Sequence, residues 1–163
     1  MGNIRRAKPE DLSRIAEILV FAKRIKYRPI FHNDDYSFNE LQVVKLAEEY
    51  GKPETLDNIW VYDDGIVKGM IHVEDKEISE LYVDYFFWNQ GIGTELIEFV
   101  KEKHDVRFLW VLEKNTDAIR FYKAHGFEPN GKRLLEEDTT EYLVMLEISD
   151  WISNFLGWSE EEV

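Results

Sequence analysis

The chain has 163 residues, enough for one well-filled core, and its 44% hydrophobic and 14% aromatic content supplies the material for it. Its 33 acidic against 20 basic side chains leave a net charge of −13. That balance opposes a nucleic-acid binder, which needs a basic footprint to displace counterions, and the absence of cysteine excludes disulfides, thiolate metal ligands and a cysteine nucleophile.

The acidity fits a soluble protein, whether as a plain solubility device or as a complement to a cationic partner. The start "MGNIRRAKPEDL" has no apolar signal core, and Arg6 stands where a myristoylation motif needs Ser or Thr. No segment nears the ~18 apolar residues of a membrane span. A cytoplasmic protein with one domain over residues 1–163 is therefore expected.

"NIRRA" (Asn3 to Ala7) reads as a short strand ahead of Pro9, a favoured first residue of a helix. The helix that follows sets Leu12, Ile15, Ala16 and Leu19 on one face. "KYRPIFHNDDY" (Lys26 to Tyr36) is expected to be an aromatic and polar loop of the kind that shapes a pocket. A second helix opens at Ser37, which with Glu40 makes a capping box, and closes near Gly51 and Pro53. "IWVYDDGIVKGMIHVED" (Ile59 to Asp75) is two apolar strands around Asp64-Gly65, a hairpin signal. "EISELYVDYFF" (Glu77 to Phe87) is a third strand in which polar and apolar residues alternate only in part.

A glycine turn then leads into a helix with Ile92, Leu96, Phe99 and Val100 on its buried face. "VRFLWVL" (Val106 to Leu112) is a near-continuous apolar strand, "NTDAIRFYKAHG" (Asn115 to Gly126) a helix, and "FEPNGKRLL" with "TEYLVMLEI" a closing hairpin. The order β-α-α-β-β-β-α-β-α-β-β predicts an α/β chain with a mixed sheet of about seven strands and helices on both faces. The tail, residues 149–163, is apolar and then acidic. It could dock as a short helix, or lend Trp151, Phe155 and Trp158 to a homodimer contact.

Two segments carry chemistry. "FFWNQGIGTELIEFVKEKH" puts Gly91 and Gly93 at the mouth of a helix, where unpaired backbone N–H groups and the positive end of the dipole favour an anion. Thr94 adds a hydroxyl in the first turn. The dinucleotide fingerprint fails because Leu96 stands at its third glycine, and no G-K-[ST] completes a P-loop. This segment alone leaves a phosphate seat and an ordinary tight turn equally open. In "LEKNTDAIRFYKAHGF", Ala118, Phe121, Tyr122 and His125 share a helical face, and Gly126 suits the position after a helix end. Alone, a tyrosine on such a face reads as core with its hydroxyl at the rim.

Together, "LYVDYFFWNQGIGTELI" and "LEKNTDAIRFYKAHGFEPNG" resemble the GNAT superfamily of acetyl-CoA-dependent N-acetyltransferases. The first is similar to the family's pyrophosphate motif, [QR]-x-x-G-x-[GA] after a strand ending in L-x-V. The second matches N-x-x-A-x-x-F-Y-x-x-x-G-F at Asn115, Ala118, Phe121, Tyr122, Gly126 and Phe127. Trp88 departs from the pattern, standing where Gln or Arg is usual, with Asn89 beside it.

The resemblance implies a mostly antiparallel GNAT sheet and acetyl-CoA as co-substrate, with no metal. It implies that Leu81, Tyr82 and Val83 pair with the pantetheine arm, the Val83 N–H polarising the thioester carbonyl. The backbone from Trp88 and Asn89 through Gln90, Gly91 and Ile92 to Gly93, with Thr94, would cradle the pyrophosphate. Asn115 would bridge the strand end and the cofactor, with Phe121 also in contact, and Tyr122 would be the general acid at the sulfur. A strand carboxylate, Glu80 or Glu77, is the expected base, with Asp84 just past the strand and His32 as a further candidate. "HNDD" (His32 to Asp35) is not expected to hold a metal, since adjacent residues cannot all converge on one ion.

With no cysteine to carry an acetyl group, direct transfer to a primary amine of a small molecule, peptide or protein is the simpler course. The acidity and the loop Tyr27 to Tyr36, with Asp34 and Asp35, suggest a cationic or amphipathic acceptor. A non-catalytic CoA-binding module of the same fold is the alternative from another class.

Overall fold

In the computed structural model, residues 2–31, 43–137 and 139–148 are described. Strands β1 (Ile4–Arg6), β2 (Ile59–Asp63), β3 (Val67–Glu74), β4 (Glu77–Val83), β5 (Phe108–Leu112), β6 (Phe127–Leu135) and β7 (Tyr142–Ile148) form one sheet in the order β1-β2-β3-β4-β5-β7-β6. Its neighbours are antiparallel except β4 and β5. The helices are α1 (Leu12–Phe31), α2 (Val43–Tyr50), α3 (Pro53–Leu56), α4 (Ile92–Lys103) and α5 (Thr116–Ala124).

Strand alternation divides the apolar residues between two faces. On one, Ile59 and Val61 of β2 and Val67 and Met70 of β3 pack with Ile15, Ile18 and Leu19 of α1, Tyr50 of α2 and Leu56 of α3. On the other, Tyr62, Ile71, Val73 and Leu109 pack with Ile92, Leu96, Ile97 and Val100 of α4, and α5 leans on the same cluster through Phe121 and Tyr122. The mixed sheet with helices on both faces agrees with the fold expected from the sequence.

The chain enters α1 through a single 3-10 turn, Pro9–Asp11, rather than starting the α-helix at Pro9. The Asp11 carboxylate accepts the Lys8 backbone N–H at 2.8 Å and Arg5 Nη1 and Nη2 at 2.8 and 3.0 Å. Arg5 Nε also donates to Asp63 Oδ2 at 3.1 Å, so one guanidinium joins β1, β2 and the head of α1. At its other end α1 continues through Phe31, so Lys26 to Phe31 is helical and not the expected loop. Pro29 falls in the final turn, where it withholds one hydrogen bond rather than breaking the run. The Ser37–Glu40 capping box, His32 to Tyr36 and the tail 149–163 lie outside the described residues.

β4 carries the irregularity that shapes the site. His72 pairs with Glu80 but Val73 pairs with Ile78, so Ser79 is an extra residue on β4. Such a bulge bends its strand and shifts which side chains share a face. Ile78, Leu81 and Val83 consequently pack on the α4 side, while Tyr82 packs on the α1 side. The imperfect alternation of "EISELYV" is this bulge seen in sequence.

Candidate active site

β4 and β5 meet at one register pair, Glu77 with Phe108, and part beyond it. The gap is the mouth of a cleft of about 590 Å³, walled by β4, β5, the start of α4, α5 and two lysines of α1. The Asp84 N–H donates to Lys68 O on β3 at 2.8 Å. One residue earlier, the backbone groups of Val83 therefore point the other way, into the gap. β4 thus offers an unpaired strand edge to the cleft.

The turn into α4 is built from two residues of positive φ, Asn89 (65°) and Gly91 (82°). Gly91 is the N-cap, and Glu95 N–H donates to its carbonyl at 3.0 Å. The N–H groups of Ile92, Gly93 and Thr94 have no intrahelical acceptor. Gly91 is required by its conformation; Gly93 is not. A Cβ on Gly93 would meet Phe121 Cζ at 3.5 Å, an ordinary contact. Since neither backbone nor packing demands glycine at 93, what its missing side chain leaves is bare peptide facing the cleft. That tilts the ambiguous glycine pair toward an anion seat.

Thr94 lies on the same turn, its Oγ1 3.3 Å from His125 Nε2, while His125 Nδ1 lies 2.7 Å from Glu98 Oε2. Burial pushes the Glu98 carboxyl up, but its bonds to His125 and Lys101 together hold it below the usual carboxylate range.

Tyr122 lines the cleft from α5. Burial, with the Glu80 charge adding to it, raises its hydroxyl above the ordinary phenol range. Glu80 lines the same cleft from β4 and is held by two groups: Tyr50 Oη donates to its Oε1 at 3.5 Å, and Lys23 Nζ lies 3.6 Å from the same oxygen. Burial and the Glu80 charge raise the Tyr50 hydroxyl also. Glu77 sits lower in the cleft, at the β4–β5 junction, its carboxyl pushed up by burial and by Glu74 and Glu80. Asn115 is the N-cap of α5, where its Oδ1 accepts the Ala118 N–H at 3.3 Å. Its amide N–H groups are what it can offer the cleft it lines. Among the described residues no cluster of three His, Asp or Glu could hold a metal ion, and no helix is long and apolar enough to cross a membrane.

Residues 55–129 match the family model of the acetyltransferase (GNAT) domain. That segment, just under half of the chain, is similar to the GNAT acetyltransferases. A relative is the peptidyl-lysine N-acetyltransferase YiaC of Escherichia coli, 34% identical over 70 residues, which are 42% of this chain and 48% of YiaC. The chain thus spans about half the length of that relative. The peptidyl-lysine N-acetyltransferase YjaB of Salmonella typhimurium is 25% identical over 137 residues, 84% of this chain and 90% of YjaB. The solution structure of apo YjaB from Escherichia coli superposes with a TM-score of 0.68 at 22% identity, over 90% of this chain and 96% of that one. This last likeness speaks to the GNAT fold.

Of the residues singled out from the GNAT motifs, the cleft brings together Glu77, Glu80, Leu81, Tyr82, Val83, Trp88, Asn89, Gly91, Ile92, Gly93, Thr94, Asn115, Phe121 and Tyr122; Gln90 is not part of its wall. Trp88, the departure from the GNAT pattern, spends both of its donors inside the protein. Its backbone N–H bonds Tyr85 O at 3.3 Å, and its indole Nε1 donates to Val83 O at 2.7 Å. It therefore satisfies the last carbonyl of the open β4 edge. The Tyr85 ring packs on it with centroids 4.9 Å apart, and Lys26 Nζ stands 4.8 Å from its ring. Asp84, just past β4, is tied to Arg14 and caps the Phe86 N–H at 3.0 Å, a structural assignment.

Three contributors escaped the motif reading. Lys23 and Tyr50 reach Glu80 from helices distant in sequence, and no local spacing marks them. Gly69 had a signal, a lone glycine within a strand, which often means close backbone approach. A Cβ there would meet Ile92 Cγ2 at 3.0 Å and Leu96 Cδ1 at 3.1 Å, so Gly69 is what lets the head of α4 sit down on β3.

Proposed function

We propose that this protein transfers an acetyl group from acetyl-CoA to a primary amine, with the side chain of a peptide or protein lysine as the acceptor. The observation that carries the reading is one cleft in which the open β4 edge, the bare α4 turn, Glu80 and Tyr122 all meet. The residues fit acetyl-CoA as substrate. The N–H groups at Ile92 to Thr94 suit its pyrophosphate, and the outward backbone of Leu81 and Val83 suits the amides of its pantetheine arm. Acetyl-CoA supplies an activated acyl carbon; the protein supplies orientation, which alone is worth roughly 7 kcal/mol or more.

Each remaining requirement has a residue. A free alkylamine with a pKa of ~10 is mostly ammonium at neutral pH, so a base must take its proton. Glu80 stands where that proton can go, with Glu77 as the more distant carboxylate. The Val83 N–H stabilises the carbonyl oxygen as it gains charge. The raised Tyr122 hydroxyl keeps its proton at neutral pH and can give it to the departing sulfur. Direct transfer needs no residue to carry the acetyl group. The peptidyl-lysine acceptors in the names of YiaC and YjaB support the choice of acceptor.

An acceptor screen that detects the released CoA thiol tests the proposal. Turnover on lysine peptides above that on small amines is the expected result. Acetyl-CoA binding by calorimetry without turnover on any amine would make this a CoA-binding module instead.

A further inference from the structure

α1 lays a lysine of this chain where the proposed reaction needs an amine. Lys23 lines the cleft, and its side chain is 16% exposed. Its Nζ lies 3.6 Å from Glu80 Oε1 and 5.7 Å from the centre of the Tyr82 ring. An ammonium resting on a carboxylate and an aromatic face is in the position an acceptor must take before it loses a proton. The Glu80 charge also raises the hydroxyl of Tyr122, which lines the same cleft. Lys23, Glu80 and Tyr122 thus all line this one cleft.

Other lysines are placed differently. Lys26 lines the cleft but stacks on Trp88. Lys68, Lys76, Lys101 and Lys114 are paired with Asp64, Asp105, Glu98 and Glu141, and none of the four lines the cleft. Among the described residues, Lys23 is the lysine that both lines the cleft and meets Glu80.

We propose that Lys23 is a self-acetylation site, modified by acetyl-CoA bound in the cleft of its own chain. The inference rests on the acetyltransferase reading above. The Lys23 ammonium gives one proton to Glu80, a bond forms between Nζ and the acetyl carbon, the carbon–sulfur bond breaks, the sulfur leaves as CoA thiol with a proton from Tyr122, and the second proton lost from Nζ restores the Tyr122 hydroxyl. One ammonium and one thioester become an N-acetyl-lysine, a thiol and a proton, with no oxidant or reductant. The product is neutral, so modification dissolves the Lys23–Glu80 ion pair.

The test uses the full chain incubated with acetyl-CoA and no acceptor, then digested and mapped by mass spectrometry. Lys23 is expected to gain an acetyl group well before the exposed Lys52 and Lys132. Its rate per molecule should stay constant on dilution, as transfer within one chain requires. Glu80→Gln and Tyr122→Phe, each checked for a native circular-dichroism spectrum, should slow it roughly 10²-fold. Lys23→Arg keeps the positive charge and should remove that acetylated peptide alone.

Acetylated peptide amines beside an unmodified Lys23 would overturn this inference and leave the proposed function standing. A Lys23 rate equal to that of the exposed lysines and unmoved by both variants would mark uncatalysed chemistry and overturn it too, as would a rate per molecule that climbs with protein concentration. Failure to bind acetyl-CoA in calorimetry would remove the proposed function and this inference together.

Discussion

A general acid must hold its proton at the working pH, and Tyr122, the proposed acid, is suited to do so: burial and the Glu80 charge both oppose phenolate formation. Replacing Tyr122 with Phe removes the proton while keeping the ring that packs near Phe121 and Phe127, with centroids at 5.3 and 6.0 Å. We expect kcat to fall roughly 10²-fold or more, with the acetyl-CoA Kd from calorimetry nearly unchanged. Full activity would assign the acid elsewhere. Glu80 has a more crowded setting. Its Oε1 already answers to Lys23 and Tyr50, so an incoming ammonium competes with a resident one for the same oxygen.

The first turn of α4 separates a glycine its backbone requires, Gly91, from one proposed to serve the cofactor, Gly93. Gly93→Ala adds a methyl in ordinary contact and a better helix former. Its stability should hold or rise by up to about 1 kcal/mol in urea unfolding. Its acetyl-CoA affinity should drop roughly tenfold, a loss of about 1.4 kcal/mol. An unchanged Kd would reduce Gly93 to a tolerated accident of the turn. Gly69→Val is the converse case. It drives a branched side chain into Ile92 and Leu96, and urea unfolding should register a loss of about 1–3 kcal/mol. The α4 motif and the α5 motif were legible because each is a local run: a turn that needs positive φ, an N-cap asparagine, an apolar helical face. The Ser79 bulge was legible only as imperfect alternation, because a two-residue period cannot say which strand carries the extra residue. The Lys23–Glu80–Tyr50 cluster was illegible, since it joins α1, α2 and β4 through tertiary packing alone.

At the scale of the molecule, the Arg5–Asp11–Asp63 cluster ties the first strand and first helix to the sheet. Its bond to Arg5, helped by the Lys8 N–H, outweighs burial and holds the Asp11 carboxyl below the usual range. A carboxyl depressed on folding contributes stability above its unfolded pKa, about 3.9, which is lost as pH falls through the folded value. Denaturation by urea followed from pH 7 to pH 2 should therefore show a falling midpoint below pH ~4. Asp11→Asn should flatten part of that fall and cost about 2 kcal/mol at neutral pH, as expected for losing bonds to a charged group.

The parted strands have a consequence for how the protein opens. With one register pair between β4 and β5, the backbone ladder is in effect two ladders, β1 to β4 and β5 to β6. Beyond the bonds that the Arg107 and Phe108 N–H groups donate to Lys76 O, what joins them is the side-chain cluster that holds Leu96 and Ile97 of α4 together with Leu109, Phe127 and Leu146. Amide hydrogens in the two halves should accordingly exchange with solvent deuterium as two cooperative units rather than one. A thioester substrate lying along Leu81 to Val83 would act as a missing strand between them. On its arrival the two units should slow together, and the substrate would be felt as a mechanical splice long before any bond is made.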